Sequence, residues 1–339
     1  MKKRVAVVIL NYNGANMLHQ FLPSVINNSP EADVIVADNA STDNSLQLLE
    51  NEYPAVGVIK LDKNYGFAEG YNKALERLDY EYYILLNSDV EVTKEWIAPM
   101  LQFLGENSNV VACQPKLLDY KNKLSFEYAG ASGGFIDVYG YPFCRGRIFN
   151  TVEEDKGQYN SIENVFWATG AALMVRSKEF WAVGGLDGRF FAHMEEVDLC
   201  WRLKSRGHQI VCVPQSVVYH VGGATLDRSN PHKTYLNFRN NLLMLYKNLP
   251  QAELARIMFI RNILDIVAAT KFLLSGSFSE FRAVFKAHRE FRRMKPQFHY
   301  DRLTNLSKTV VTSIPERVKS SILWSYYLKG IRTFDKLQK

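Results

Sequence analysis

The sequence predicts an α/β protein in which helices cover a mostly parallel sheet, followed by a helical, basic C-terminal extension. Three observations carry this. Strand-like and helix-like segments alternate from residue 4 to residue 92. The strand segments are continuous apolar runs, as expected of strands buried on both faces. From about residue 235 the texture changes to helical stretches rich in Arg, Lys and bulky apolar side chains. The chain therefore divides into a first unit, 1–235, and an extension, 236–339.

The elements follow in order. "RVAVVIL" is the first strand. Its start, "MKKRVAVVIL", mimics a secretory leader, but only six apolar residues precede Asn11, fewer than a leader core needs. "NMLHQFLPSVINN" has helical spacing, and "ADVIVADN" is a second strand. "STDNSLQLLENEY" places Ser, Thr and Asp ahead of an apolar-periodic stretch, a helix start. "VGVIKLD" is a third strand, "GFAEGYNKALERL" a helix and "YEYYILLNSDVEV" a fourth strand. This βαβαβαβ order argues for a parallel sheet. The middle, about 110–230, is mixed and Gly-rich, and "HQIVCVPQSVVYHVGGATL" supplies two further strand-like runs.

Ligands of such sheets bind beyond the carboxyl ends of the strands. Polar residues gather there: Asn11 to Gly14 after strand one, Asp38-Asn39 after two, Asp62 to Asn64 after three, and Asn87-Ser88-Asp89 after four. A single polar strand end is ordinary turn chemistry. Four in succession suggest a nucleotide-type site.

At 47% hydrophobic and 22% charged, the 339 residues suit a globular protein with a large core. The net charge of +6 is uneven. Residues 281–339 hold 14 Lys and Arg against 4 Asp and Glu, a net of +10, which leaves −4 for residues 1–280. A basic tail points to an anionic partner. No nucleic-acid-binding motif accompanies it, so a nucleic acid is not expected. The tail interleaves Phe259, Ile263, Phe272, Phe281, Phe285 and Phe291 with Arg256, Lys271, Arg282, Arg289, Arg292 and Arg293, a pattern that suits an anionic membrane surface or a helical bundle packed on the first unit. The most apolar stretch, "IMFIRNILDIVAATKFLLSG", carries Arg261, Asp265 and Lys271 and is not expected to span a bilayer. Cys113, Cys144, Cys200 and Cys212 lack metal-binding spacing and read as free thiols in a reducing compartment.

Taken together, "VVILNYNG", "VIVADNASTDNS", "NYGFAEGYNKAL", "LLNSDVEV", "WATGAALMVRSKEFWAVGGLDGRFFAHMEEVDLCWRLKSRG" and "VYHVGG" resemble, in order, the landmarks of family 2 inverting glycosyltransferases, in particular the bacterial rhamnosyltransferase-like branch. The resemblance covers about residues 4–245 and implies a GT-A-type, Rossmann-like fold. It implies a nucleoside-diphosphate-sugar donor (dTDP- or UDP-linked), a glycan or lipid-linked acceptor, a Mg or Mn ion, and a place in cell-envelope polysaccharide synthesis at the inner face of the membrane.

It also implies roles. Asp38 matches the base-reading Asp, with an Asx turn or helix cap as its other possible role. Asn11 and Asn13 would flank the base or ribose, and Asp43 reads as a cap. The metal motif D-x-D is here Asn87-Ser88-Asp89; Asp89 would anchor the ion, Asn87 offers at most a neutral oxygen, and His220 matches a further ligand in some relatives. The turn at Asn64 and Gly66 opens a helix whose N–H groups could hold the diphosphate, or it is a strand-to-helix turn. Trp167 offers a surface for an acceptor sugar or a core side chain.

Glu195, Glu196 and Asp198 open a helix that ends with Arg202, Lys204, Arg206 and Gly207. Acids at the first turn and bases at the last fit the helix dipole, and Asp198 can pair with Arg202 four residues on or contact the acceptor. Two further acids behind "RFFAHM" are not explained that way. Inverting transfer needs one general base, and a carboxylate in a partly dry pocket has a raised pKa suited to it. By position Glu196 is that base and Glu195 orients the acceptor. The family's pair is usually Glu-Asp, so the longer Glu196 is a departure. The alternative from another class is a catalytically silent nucleotide-sugar-binding scaffold, which the altered metal motif would suit.

Overall fold

The structure is a computed structural model and describes residues 3–222 and 230–337. Gly223, which ends the "VYHVGG" motif, lies outside them. The first elements are β1 (Val5–Asn11), α1 (Ala15–Asn28), β2 (Ala32–Asp38), α2 (Ser45–Glu52), β3 (Gly57–Lys60), α3 (Gly66–Leu75) and β4 (Tyr82–Leu86), in the expected order. There the predicted fourth strand ends. Residues 87–89 leave the sheet path, and β5 (Val90–Val92) pairs elsewhere. After α4 (Ala98–Glu106) come β6 (Val110–Asp119), β7 (Gly134–Asp137), β8 (Pro142–Cys144), β9 (Arg147–Ile148), β10 (Thr151–Val152), β11 (Glu163–Asn164) and β12 (Ala172–Arg176). Then follow α5 (Ser177–Ala182), α6 (Glu195–Ser205) and β13 (Gln209–His220). The remainder is α7 (Pro231–Asn248), α8 (Gln251–Leu274), α9 (Phe278–Met294), α10 (His299–Ser307), β14 (Arg317–Val318), α11 (Ile322–Tyr327) and α12 (Phe334–Leu337).

The main sheet runs β11-β13-β6-β12-β4-β1-β2-β3, with β5 attached to β13. Strands β1 to β4 are mutually parallel, and β12 is antiparallel to both β4 and β6. The chain order reverses at β1, between β2 and β4, which opens the crevice where ligands of such sheets bind. Val5 to Val8 are fully buried because helices cover both faces. One core packs α3 (Ala68, Tyr71, Ala74) against the sheet, and the other packs α1 and α4 (Leu18, Leu22, Met100). All four cysteines are free and buried.

Two expectations need correction. The two strands read from "HQIVCVPQSVVYH" are one, β13, whose register against β6 slips between Val213 and Val217. The division at 235 cuts α7, which begins at Pro231 and buries Leu242, Leu243, Met244 and Leu245 in the same core as the sheet. Later residues are stitched in as well, since β14 pairs with β7 at the edge of a second sheet ordered β10-β9-β8-β7-β14.

Candidate active site

The crevice is built first from the ends of β1 and β2. The parallel register sets Asn11 opposite Asp38. Asn11 is fully buried and donates its amide to Asp38 Oδ1 and to Ser41 Oγ, both at 3.1 Å. Asp38 Oδ2 accepts from the Ser41 N–H at 3.0 Å. Asp38, 1% exposed, therefore closes an Asx turn, yet each oxygen keeps lone pairs for a ligand. Asn11 Oδ1 is buried with no partner among the described residues, an acceptor waiting for a donor. Asn13 sits at φ 51° and accepts from the Thr42 N–H at 2.7 Å, tying the first loop to the second. Asp43 is a cap, as expected: it accepts from Ala15 N and Ser45 N at 3.0 Å, and these bonds outweigh burial to hold its carboxyl below the usual range.

The ends of β4 and β13 supply the second group. Because β5 pairs with β13 in the register Val90↔His220, Asp89 and His220 meet although 131 residues separate them. Asp89 Oδ1 lies 3.1 Å from His220 Nε2, and Glu127 Oε1 lies 3.3 Å from His220 Nδ1. All three are buried. Burial alone would lower the His220 pKa, but Glu127 and Asp89 hold it up at about 10. The same pairing keeps Asp89 below the ordinary carboxylate range despite its burial. The pocket between these carboxylates is thus made for positive charge. The 3.1 Å Asp89–His220 contact is a hydrogen bond, which a divalent ion held by these two side chains would replace. Among the described residues no third His, Cys, Asp or Glu completes such a group, leaving water and phosphate oxygens for the other positions. Asn87 turns its amide nitrogen toward His220 at 3.4 Å, so in this orientation it offers no oxygen there. Ser88 Oγ faces Gly14 across the crevice. Sequence reasoning missed Glu127; an acid in the Gly-rich run "FEYAGASGG" was the available signal.

The turn before α3 does not hold an anion. Its N–H groups are spent inside the protein: Tyr65 on Asn39 Oδ1, Gly66 on Asn64 Oδ1, and both Phe67 and Ala68 on the Phe191 carbonyl. Asn64 and Gly66 shape a docking point instead. Gly66 has φ +76°, and a Cβ there would lie 2.4 Å from the Phe191 ring. The segment it receives is unusual. Phe191, His193 and Met194 all adopt positive φ, at 66°, 71° and 73°, costly for bulky residues unless their surroundings impose it. Helix α7 does so: the Asn240 amide donates to the carbonyls of Phe190, Ala192 and His193 at 2.9, 2.8 and 2.7 Å, and Arg239 donates to that of Phe190.

That strained turn aims the acidic pair. Glu195 and Glu196 each carry a buried Oε2 with no partner among the described residues. Burial, and then its neighbour Glu196, pushes Glu195 well above the carboxylate range. Burial pushes Glu196 up to about 7. Glu196 is the more accessible of the two, and its Cβ lies beside Gly170 and near the Phe67 ring's side of the crevice. Ala171, which follows Gly170, accepts from the Asn87 N–H at 3.0 Å.

Two site expectations are overturned. Trp167 is 3% exposed, donates its indole N–H to the Phe135 carbonyl at 3.0 Å and lies flat against Gly134, so no ring face is open to a sugar. Asp198 is fully buried and binds Arg202 at 2.8 Å, Lys247 at 2.9 Å and Asn248 at 2.7 Å. It joins α6 to α7 and cannot touch an acceptor.

Known proteins resemble this chain in sequence and in fold. The family model "Glycosyl transferase family 2" matches residues 6–164, which include Asp38 and Asp89 and stop short of Glu196 and His220. The chain is 29% identical over 233 residues to the N-acetylglucosaminyl-diphospho-decaprenol L-rhamnosyltransferase of Mycobacterium tuberculosis, covering 63% of this chain and 75% of that protein. Among solved structures it resembles S. aureus TarS 1-349 in complex with UDP-GlcNAc (TM-score 0.57, 16% identity, 90% of this chain and 89% of that one). It also resembles the Pyrobaculum calidifontis mannosyltransferase in complex with GDP-Man and Mn2+ (TM-score 0.52, 15% identity, 90% and 88%). At 15–16% identity these two likenesses bear on the fold, a mixed α/β sheet flanked by helices.

Proposed function

Since this chain is a family 2 glycosyltransferase, we propose that it moves one sugar, rhamnose or another hexose, from a pyrimidine nucleoside-diphosphate donor to a hydroxyl of a lipid-linked envelope glycan, inverting the anomeric centre. The observation that carries this reading is Glu196 Oε2, buried without a partner among the described residues, on a carboxyl that burial raises to about 7.

The base and ribose lie over β1 and β2, against Asp38, Asn13 and the free Asn11 oxygen. The diphosphate lies toward Ser88 and Asp89. A divalent cation on Asp89 and His220 would offset the charge that builds on the departing nucleoside diphosphate. Glu196 accepts the proton of the acceptor hydroxyl as that oxygen bonds to the anomeric carbon. The bond from that carbon to the phosphate oxygen breaks with its electron pair, and the proton passes from Glu196 to solvent on product release. A base with a pKa near the working pH is the efficient one.

The acceptor side is argued from the relative that acts on a diphospho-decaprenol and from the surface of α8. Phe259, Ile263, Ile266 and Val267 lie on one face of that helix and are 48–66% exposed, while Arg292 and Arg293 stand in the last turn of α9. Among the described residues no helix is long and apolar enough to cross a membrane, so these helices would lie along an anionic surface at the inner face of the cell membrane.

Thermal shift with nucleoside diphosphates tests the donor half. Thymidine or uridine diphosphate at 100 times its dissociation constant is expected to stabilise the fold by about 2.7 kcal/mol. The stabilisation is expected to grow with Mn and to lose that Mn-dependent part in Asp89→Ala. If no nucleoside diphosphate moves the melting temperature, the reading fails. NMR of the glycoside formed reads inversion directly.

A further inference from the structure

A groove of about 620 Å³ lies between the start of α7 and α9. His232 and Tyr235 form one wall, and Arg282, Phe285, Lys286 and Arg289 the other. The three cations recur at helical spacing on one exposed face of α9. Among the described residues no carboxylate pairs with any of them; Lys286 only overlies the Tyr235 ring at 4.7 Å. Three cations with no carboxylate partner among the described residues, flanking a hollow walled in part by Tyr235 and Phe285, favour an anion.

The groove adjoins the catalytic turn. Its lining residues Tyr235 and Ala283 belong to a small core against which Ala192 packs, three residues before Glu195. Beside Ala192, the His193 imidazole is pushed down to about 4 by burial and by the charges of Lys233 and the groove residue His232. At the other end the groove opens onto apolar surface. Phe285, 52% exposed, also lines a smaller hollow of about 90 Å³ with Ile266 and Ala269 of α8. The groove therefore backs onto the segment that leads into α6 and, at Phe285, reaches the apolar surface of α8.

We infer that this groove binds the diphosphate of a lipid-linked acceptor, with Arg282, Lys286 and Arg289 on the phosphates and the lipid chain running over Phe285 toward α8. The inference rests on the acceptor class proposed above. It explains why the cations stand next to the turn that carries the base: a diphosphate held there presents its attached sugar to Glu196.

The test is a binding measurement with farnesyl diphosphate as probe, the donor crevice being filled by uridine diphosphate and Mn. The wild-type protein is expected to bind it at least tenfold more tightly than farnesol or inorganic pyrophosphate. Arg282→Glu/Arg289→Glu, both on the surface, is expected to weaken that binding at least tenfold while keeping the melting temperature and the uridine diphosphate shift. Equal binding by wild type and variant overturns the site. So does competition by anionic phospholipid vesicles as effective as unlabelled farnesyl diphosphate, which would make α9 a general membrane contact. Binding is read without turnover. A protein that holds the probe through these arginines but glycosylates no lipid diphosphate keeps the groove and loses the proposed function, whereas transfer with an unchanged acceptor KM in the variant does the reverse.

Discussion

Glu196→Gln is expected to lower sugar transfer by about 10²–10⁴-fold, the usual contribution of a positioned general base, while donor binding survives. Gln keeps the shape and cannot take the proton. In the wild-type protein the rate is expected to rise with pH up to about 7, where the Glu196 carboxyl loses its proton. Below that it falls tenfold per unit. Stability moves the other way. The folded-state pKa stands above the ordinary 4.5, so the fold binds the extra proton between those values and loses stability as pH rises through about 7. Gln removes that loss. Its melting temperature is therefore expected to exceed wild type at pH 8 and to match it at pH 4, read by calorimetry at both pH values. A purely structural acid would lose stability when replaced, with no such inversion. The opposite pattern of activity, Glu195→Gln inert and Glu196→Gln active, would move the base to Glu195.

What could be read from the sequence follows from the range of the interactions involved. The four parallel strands and their polar ends were legible because apolar runs and turn residues are local signals, and Asn11 and Asp38 indeed face each other in register. Asp43 as a cap was legible for the same reason. The metal-side cluster was legible only in part. Asp89 and His220 meet through the antiparallel pairing of β5 with β13, and Glu127 joins them because its N–H bonds to the Leu117 carbonyl across the loop of residues 118–126. No periodicity encodes either contact. The turn at Asn64 and Gly66 showed its shape but not its partner. The sequence could not show that the Phe191 carbonyl would occupy its N–H groups. Trp167 could be read as a sugar platform or a core side chain because an indole suits both; the ring is in the core, placed by Gly134, 33 residues earlier, whose missing side chain makes the slot.

Helix α7 is the clearest case of a role hidden from sequence, and Asp198 is its measure. Asp198→Ala is expected to destabilise the fold by about 3–5 kcal/mol, the range for removing one partner of a buried ion cluster, against a typical total of about 5–15 kcal/mol. The cost lies in what remains. Arg202 and Lys247 have side chains only 4% and 5% exposed, and without Asp198 their charges lose their shared partner. Burial pushes the Asp198 pKa up, but Lys247 and Arg202 outweigh it and keep the value below the ordinary 3.8. The contribution is thus present above about pH 4 and lost as pH falls through the folded-state value. Urea unfolding at pH 7 and pH 3 is expected to show a large gap between wild type and variant at the first and a smaller one at the second. Lys247→Met tests the same link from α7. Since Asp187 also leans on Lys247 at 2.7 Å, a double-mutant cycle with Asp198→Ala is expected to be non-additive. The functional consequence separates this residue from its neighbour two positions earlier. Asp198 holds α6 against α7, and α7 holds the left-handed turn that aims Glu196. Loss of Asp198 therefore lowers transfer and stability together, whereas loss of the Glu196 charge lowers transfer and raises stability at pH 8. If Asp198→Ala kept its stability while transfer fell, Asp198 would belong to the acceptor site after all.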